Sequence, residues 1–283
     1  MQVVADRNAL HRLLAEVRSS GRRIALVATM GSLHRGHLSL VHRAAECADF
    51  VLTSIYVNPM QFAAGEDLAE YPRSLDADLE ALGETPCDAV FTPDDATMYP
   101  SEGRTRIEVP LLAERFCGAD RPLFFPGICQ VVVRLFNLIR PDAAVFGCKD
   151  LQQLRIIEQL CTDLAFPIEI IAAPTVREAD GLAMSSRNAY LSDFERERAP
   201  MLYRTLKECT EQIQSGRPLR QVLDTASADL GVQGFSVRYL GAARWDDLRE
   251  PSPGDAPVAL LACAVLGQTR LIDNIVVEAG LPH

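Results

Sequence analysis

Up to Pro174, short apolar, β-favouring runs alternate with segments of helical spacing, and this alternation narrows the possible folds more than any other feature of the chain. Strands are expected at Arg23–Thr29, Asp49–Val57, Ala89–Thr92, Ala143–Phe146 and Ile168–Ala173, the last two as core strands, with Gln2–Val4 as a short edge strand. Between them, Arg7–Ser19 places Leu10, Leu13, Leu14 and Val17 on one helical face. Ser74 can cap a helix over Leu75–Leu82, with Asp76 and Asp78 favourable in its first turn. Ile128–Ile139 is apolar on most faces and reads as a buried helix that Pro141 ends, and Leu151–Asp163 reads as another helix. Strand–helix alternation requires right-handed crossovers and a parallel, doubly wound sheet. The intervening stretches are expected to be an irregular segment to Pro100, a short strand at Ile107–Pro110, a helix over Leu111–Cys117 and a loop over Arg121–Gly127.

The pattern changes after Pro174. Ser192 can cap one long helix to about Gln214, and a second helix is expected over Arg217–Asp229. Phe235–Leu240 alternates as a strand, and Val258–Leu266 and Thr269–Val277 flank Gly267–Gln268 as an antiparallel hairpin. The expected organisation is an α/β domain over residues 1–174 and a smaller α+β domain over residues 175–283.

A chain of 283 residues with 48% hydrophobic and 23% charged residues can bury a large core. Its net charge of −10 argues against general nucleic-acid or membrane-surface binding. The eight cysteines form no CxxC pair, which suits free thiols in a reducing compartment better than a disulfide frame or a zinc site. No run reaches the roughly 18 apolar residues of a membrane span, and the acidic residues near Met1 are unlike a targeting peptide. A cytoplasmic location is expected.

The stretch RIALVATMGSLHRGH, Arg23 to His37, reads as strand, glycine turn and helix, with His34 and His37 in the first helical turn. Backbone N–H groups there have no intrahelical partner and the macrodipole is positive, so an anion such as polyphosphate fits. Gly36 lets a ligand approach the backbone. Two histidines in one turn could instead bind a metal, although HxGH is not the i, i+4 metalloprotease spacing. The loops carrying Asn58 and Gln61, and Lys149 and Asp150, follow predicted strands and so lie at the same carboxyl edge of the sheet. Met184, Ser185, Ser186 and Arg187 fall at the domain junction. Phosphoryl and nucleotidyl transfer needs positioning and charge neutralisation above all. His34 and His37 would hold phosphate oxygens, Lys149 and Arg187 would neutralise developing charge, Ser185 and Ser186 would donate hydrogen bonds, and Asp150 could hold Mg²⁺.

TMGSLHRGHLSLV from Thr29, YVNPMQF from Tyr56, EDLAEYPRSLDADL from Glu66, VVVRLFNLIRPDAAVFGCKDLQQL from Val131 and PTVREADGLAMSSRNAYLS from Pro174 together resemble the pantoate–β-alanine ligases, within the HxGH nucleotidyltransferase superfamily. The resemblance implies a Rossmann-like domain followed by a C-terminal lid domain, commonly as a homodimer. It implies an AMP-forming carbon–nitrogen ligase: pantoate attacks the α-phosphate of ATP to give pantoyl adenylate and pyrophosphate, and β-alanine then releases pantothenate and AMP. Matched position by position, the ATP segment is Met30, Gly31, Ser32, Leu33, His34, Arg35, Gly36 and His37, with His37 as proton donor. Gly147, Cys148, Lys149, Asp150, Val176 and Met184 to Arg187 match further ATP contacts. Gln61 matches the residue touching pantoate and β-alanine, and Gln153 a second pantoate ligand. Met30, Ile128, Val131, Val132 and Phe146 match the apolar pantoate wall. The chain departs from the family pattern at Ala28 (for Pro), Met60 (Thr), Leu123 (Gly), Phe124 (His), Gln130 (Thr) and Cys148 (Glu). These departures leave open a ligase for another small carboxylate, or a nucleotide-binding homologue without catalysis. A dinucleotide oxidoreductase is disfavoured, because the first strand–helix turn lacks GxGxxG.

Overall fold

The computed structural model describes residues 1–63, 65–101 and 105–278; Ala64 of the expected substrate loop and residues 279–283 of the expected C-terminal domain lie outside it. Six parallel strands form one sheet: β1 (Gln2–Val4), β2 (Ile24–Thr29), β3 (Phe50–Ile55), β4 (Ala89–Phe91), β5 (Ala143–Gly147) and β6 (Glu169–Ala173), in the order β1-β4-β3-β2-β5-β6. β2 is buried on both faces, as its unbroken apolar run requires. Ile24 and Leu26 enter one core, with α1 (Arg7–Ser19), α7 (Phe124–Ile139) and α8 (Leu151–Asp163). Ala25 and Val27 point the other way, toward Val41 and Ala44 of α2 (Arg35–Ala45). The sheet is therefore doubly wound, as expected. Successive strands run outward from β2 through β3 and β4, and the chain then crosses to β5 on the other side of β2. The carboxyl ends of β2 and β5 thus flank a topological switch point, where open α/β sheets bind ligands.

A separate antiparallel sheet, β7 (Phe235–Arg244), β8 (Val258–Leu266) and β9 (Thr269–Val277), carries α10 (Met201–Gln214) and α11 (Leu219–Val232) on one face. Alternation along β8 sends Val258, Leu260, Ala262 and Ala264 to those helices and Ala259 and Leu261 into the large core. The second sheet thereby contributes to the large core as well as to its own.

Several expected elements differ. α7 begins at Phe124, one turn earlier than expected, because Pro126 sits in the first turn, where a missing N–H costs nothing. The single long helix after Ser192 is two helices, α9 (Asp193–Arg198) and α10. Pro200 lacks the N–H to continue the ladder, while Ser192 caps α9 as expected and Glu195 completes a capping box with it. Ile107–Pro110 forms no strand, and Pro110 instead opens α5 (Pro110–Ala113). The helix expected to follow is divided between α5 and α6 (Phe116–Asp120), with Phe116 left-handed at φ 49°. The segment before Pro100 contains α4 (Asp95–Met98), capped by Asp94. β6 is an edge strand rather than a core strand, with Glu169 and Ala172 exposed. In α3 (Leu75–Gly83), Ser74 makes no side-chain cap.

Candidate active site

The loop leaving β2 is held in an unusual shape. Gly31 and Ser32 both adopt positive φ, 81° and 52°. Asp78 of α3, which is buried, fixes this turn by accepting the N–H groups of Ser32 at 2.9 Å and Leu33 at 2.7 Å. A Cβ on Gly31 would meet the same carboxylate at 2.9 Å, so residue 31 needs glycine for both conformation and space. The sequence places Asp78 only as a favourable charge at its own helix start; in the structure it also fixes this turn.

The turn delivers His34 as the N-cap of α2, not as a residue of its first turn, with His37 three residues on. His34 Nδ1 accepts the Gly36 N–H at 3.1 Å, and His37 Nδ1 accepts the His34 N–H at 3.4 Å. Two histidines thus form a reciprocal capping box, their ring centroids 4.0 Å apart. Because both Nδ1 atoms accept, each neutral ring carries its proton on Nε2. A protonated Nε2 is a donor and cannot ligate a metal, so the geometry favours the anion reading over the metal one.

Desolvation, with the nearby Lys149 ammonium, lowers the His34 pKa to about 4, against a smaller opposing pull from Asp150. Desolvation, His34 and Lys149 hold His37 well below the usual histidine range. The rings are therefore neutral donors at pH 7. The unfolded chain binds a proton to His34 near pH 6.5 and the folded one only near 4, so this contribution to stability is complete above 6.5 and is lost as pH falls from 6.5 toward 4. In NMR titrations of the ligand-free protein, the His34 and His37 C2–H shifts are expected to stay flat from about pH 8 to 6. A His34 midpoint near 6.5 would contradict the assignment.

These rings line a cleft of about 1390 Å³, larger than the ~300–1,000 Å³ usual for a single small ligand. Lys149 and Asp150, just beyond β5, face the same space, as do Gly36, Gly147, Val176 and Met184 to Arg187. Met30, Ile128, Val131, Val132 and Phe146 supply an apolar wall beside Gln61 and Gln153. Gly31, Ser32, Leu33, Arg35 and Cys148 are not among the residues lining it. Gly31 to Leu33 shape the loop from behind, Arg35 points outward to pair with Glu178 at 2.9 Å, and Cys148 contributes a backbone carbonyl to a contact with Asn274. The two adjacent glutamines separate cleanly. Gln153 faces the cleft, while buried Gln152 accepts from Cys117 N and donates to the carbonyls of Leu112 and Arg115.

Gln61 is rigidly presented. Its Oε1 accepts from Asn58 Nδ2 at 3.2 Å and its Nε2 lies 2.7 Å from Met30 Sδ. Asn58 in turn accepts from the Tyr99 hydroxyl and donates to the Gly127 carbonyl. Phe124, one of the family departures, lies under the Arg121 guanidinium at 3.8 Å, and Arg121 donates to Glu66 and to the Gln61 carbonyl. Arg187 is held bidentately by Asp67 at 2.9 and 3.0 Å. The Ser186 hydroxyl donates to the Ser32 carbonyl, and the Ser185 hydroxyl accepts the Arg187 N–H. Asp67 and Asp78 are absent from the residues expected at the site, because each acts on a partner distant in sequence.

Among the described residues no group of three or more His, Cys, Asp or Glu side chains is placed to hold a metal. Asp150 alone would suit Mg²⁺ arriving on a polyphosphate, since that ion commonly takes one or two carboxylates and fills its shell with phosphate oxygens and water. The cysteines, all within the described residues, are unpaired. No helix among the described residues is long and apolar enough to cross a membrane.

An open parallel sheet whose histidine-capped helix faces a lysine across the switch point defines an α/β enzyme of the HxGH nucleotidyl-transferring class. The chain belongs to the pantoate–β-alanine ligase family, whose model matches residues 2–276. It is 49% identical to the pantothenate synthetase of Chromohalobacter salexigens over 280 residues, covering 98% of this chain and 99% of that one. The crystal structure of pantothenate synthetase from Thermus thermophilus superposes with a TM-score of 0.90 at 40% identity, covering 98% of this chain and 100% of that one. The pantoate–β-alanine ligase of Francisella tularensis, solved with a β,γ ATP and β-alanine, superposes with a TM-score of 0.84 at 30% identity, covering 99% of each chain.

Proposed function

We propose that this chain joins pantoate to β-alanine at the expense of ATP, through a pantoyl adenylate. The observation that carries this reading is the paired neutral histidines at the α2 N-terminus, opposite Lys149 and adjoining an apolar pocket that ends in Gln61 and Gln153. The helix N-terminus, both Nε2–H groups and Lys149 receive the phosphates of ATP. Gln61 and Gln153 hold the hydroxyl and carboxylate groups of pantoate, while Met30, Val131 and Phe146 enclose its gem-dimethyl group. A pantoate carboxylate oxygen then attacks the α-phosphorus, and the bond to the β-phosphate oxygen breaks as pyrophosphate leaves. Lys149 and Arg187 neutralise charge on the departing group. The amine of β-alanine, held near Gln61, next attacks the acyl carbon and expels AMP. Mg²⁺ supplies charge neutralisation on the phosphates when bound, with Asp150 as its protein carboxylate.

Pyrophosphate release should require pantoate, and pantothenate should appear only when β-alanine is added. Oxygen-18 from the pantoate carboxylate should be recovered in AMP. Pyrophosphate release that is indifferent to pantoate would remove this reading. The Arg121–Phe124 stack, where the family carries histidine, favours a second reading, adenylation of a different small carboxylate, which the same assay run over a panel of acids distinguishes. The segment after Pro174 acts as the lid, with the domain boundary there. The enzyme works as a cytoplasmic homodimer.

A further inference from the structure

We propose that Asn274, on β9 of the small sheet, is a positioning residue that fixes Lys149 in the cleft. The proposal rests on the ligase reading for its kinetic consequence, but its structural basis is independent of it. A primary amide has two N–H donors, and Asn274 directs Nδ2 to two successive carbonyls, Cys148 at 2.9 Å and Lys149 at 2.8 Å. Cys148–Asp150 is a single 3₁₀ turn between β5 and α8, with no side-chain cap at Gly147 or at Asp150. Such a turn has little stiffness of its own. The clamp from β9 supplies it.

Asn274 is itself fixed. It is buried, its N–H donates to Asp273 Oδ1 at 2.8 Å, and Asp273 receives a bidentate pair from Arg177 at 2.6 and 2.8 Å. Arg177 also donates to the Asn274 and Gly181 carbonyls and lies 3.6 Å from the Tyr203 ring centroid. One dipeptide of the small sheet thus grips the Lys149 turn directly and the 177–181 loop through Arg177. Leucine at 274 would match the shape and leave both carbonyls without these donors. Aspartate would set oxygen against oxygen. Burial is the main cause of the depressed His34 and His37 pKa values and the Lys149 charge adds to it, so a displaced turn also alters the electrostatics of the phosphate site.

The test is a double-mutant cycle in the intact chain. Asn274→Leu is expected to lower kcat for pantoate-dependent pyrophosphate release at least ten-fold, with KM for pantoate within about two-fold of wild type, because Gln61, Met30 and Val131 belong to other elements and Phe146 and Gln153 are fixed in β5 and α8 rather than in the clamped turn. In a Lys149→Ala background the same substitution should change kcat less than about two-fold, since its target is already gone. Equal losses in both backgrounds, or a loss that only tracks the folded fraction, would overturn the proposal. If the leucine variant does not fold, Asn274→Ala leaves room for a bridging water; it should lose roughly three- to five-fold and show the same cycle. Failure of the wild-type chain to make pantothenate removes the ligase reading and not this one, which is then judged by calorimetry of ATP. Asn274→Leu should weaken ATP several-fold when Lys149 is present and leave it unchanged when Lys149 is alanine. Equal weakening in both would refute it.

Discussion

Alanine in place of His37 is expected to reduce kcat for pyrophosphate release by about 10²–10³, the usual cost of deleting one donor aimed at charge developing in a transition state. His37 is a neutral Nε2–H donor in the first turn of α2, directed into a cleft where desolvation is already strong enough to suppress its protonation. The substitution also removes half of the histidine capping box, a loss of about 1 kcal/mol in stability. His37→Gln restores an amide donor and should recover part of the rate. Single-turnover rates and thermal melts on both variants distinguish the two contributions. A loss in kcat below about three-fold would show that the phosphates are held elsewhere.

The second large effect is expected from a position with no chemistry of its own. A Cβ on Gly127 would lie 2.2 Å from the Met60 carbonyl oxygen and 2.7 Å from the Gln61 nitrogen. Both are backbone atoms and cannot swing aside. Gly127→Ala must therefore push the first turn of α7 away from the Asn58–Gln61 turn and stretch the Asn58 bond to the Gly127 carbonyl. The destabilisation should be about 3 kcal/mol, as for overpacking at a rigid contact. A displacement near 1 Å at Gln61 should lower kcat/KM for pantoate by about 10². Urea denaturation and steady-state kinetics measure the two. Gly231→Ala is the control: its Cβ meets nothing within 4 Å in α11, so it should hold or raise stability by up to about 1 kcal/mol. Wild-type kinetics in Gly127→Ala would show that α7 does not set the substrate loop.

Periodicity made much of the fold legible. α1, α8 and the β8–β9 hairpin lie where the sequence pattern places them, because α1 and α8 each bury one continuous face and two long apolar runs flank Gly267–Gln268, with β8 buried on both faces. Proline was the main source of error. Pro126 has no helix before it and falls in a first turn that needs no N–H, whereas Pro200 follows α9, so its missing N–H ends that ladder before α10 begins. At the site, the residues that follow strands were legible, since topology brings His34, His37, Gln61 and Lys149 to one edge. The residues that hold them were not. Asp78 reaches Ser32 across 46 positions and Asn274 reaches Lys149 across 125, and no local pattern in either segment encodes the pairing.

The grip of Asp67 on Arg187 has a consequence for turnover. Asp67 presents two oxygens in the fork geometry that a phosphate would otherwise take. Before any nucleotide arrives, the cleft thus holds an internal rival for its own arginine. A phosphate that engages Arg187 must displace or share that carboxylate, which weakens ground-state affinity by the strength of the pair. In the proposed reaction, once pyrophosphate loosens from Arg187, the carboxylate is tethered nearby at high effective concentration and closes again on the guanidinium. A site that must release a multiply charged product each cycle is better served by an arginine with somewhere to return than by one left bare.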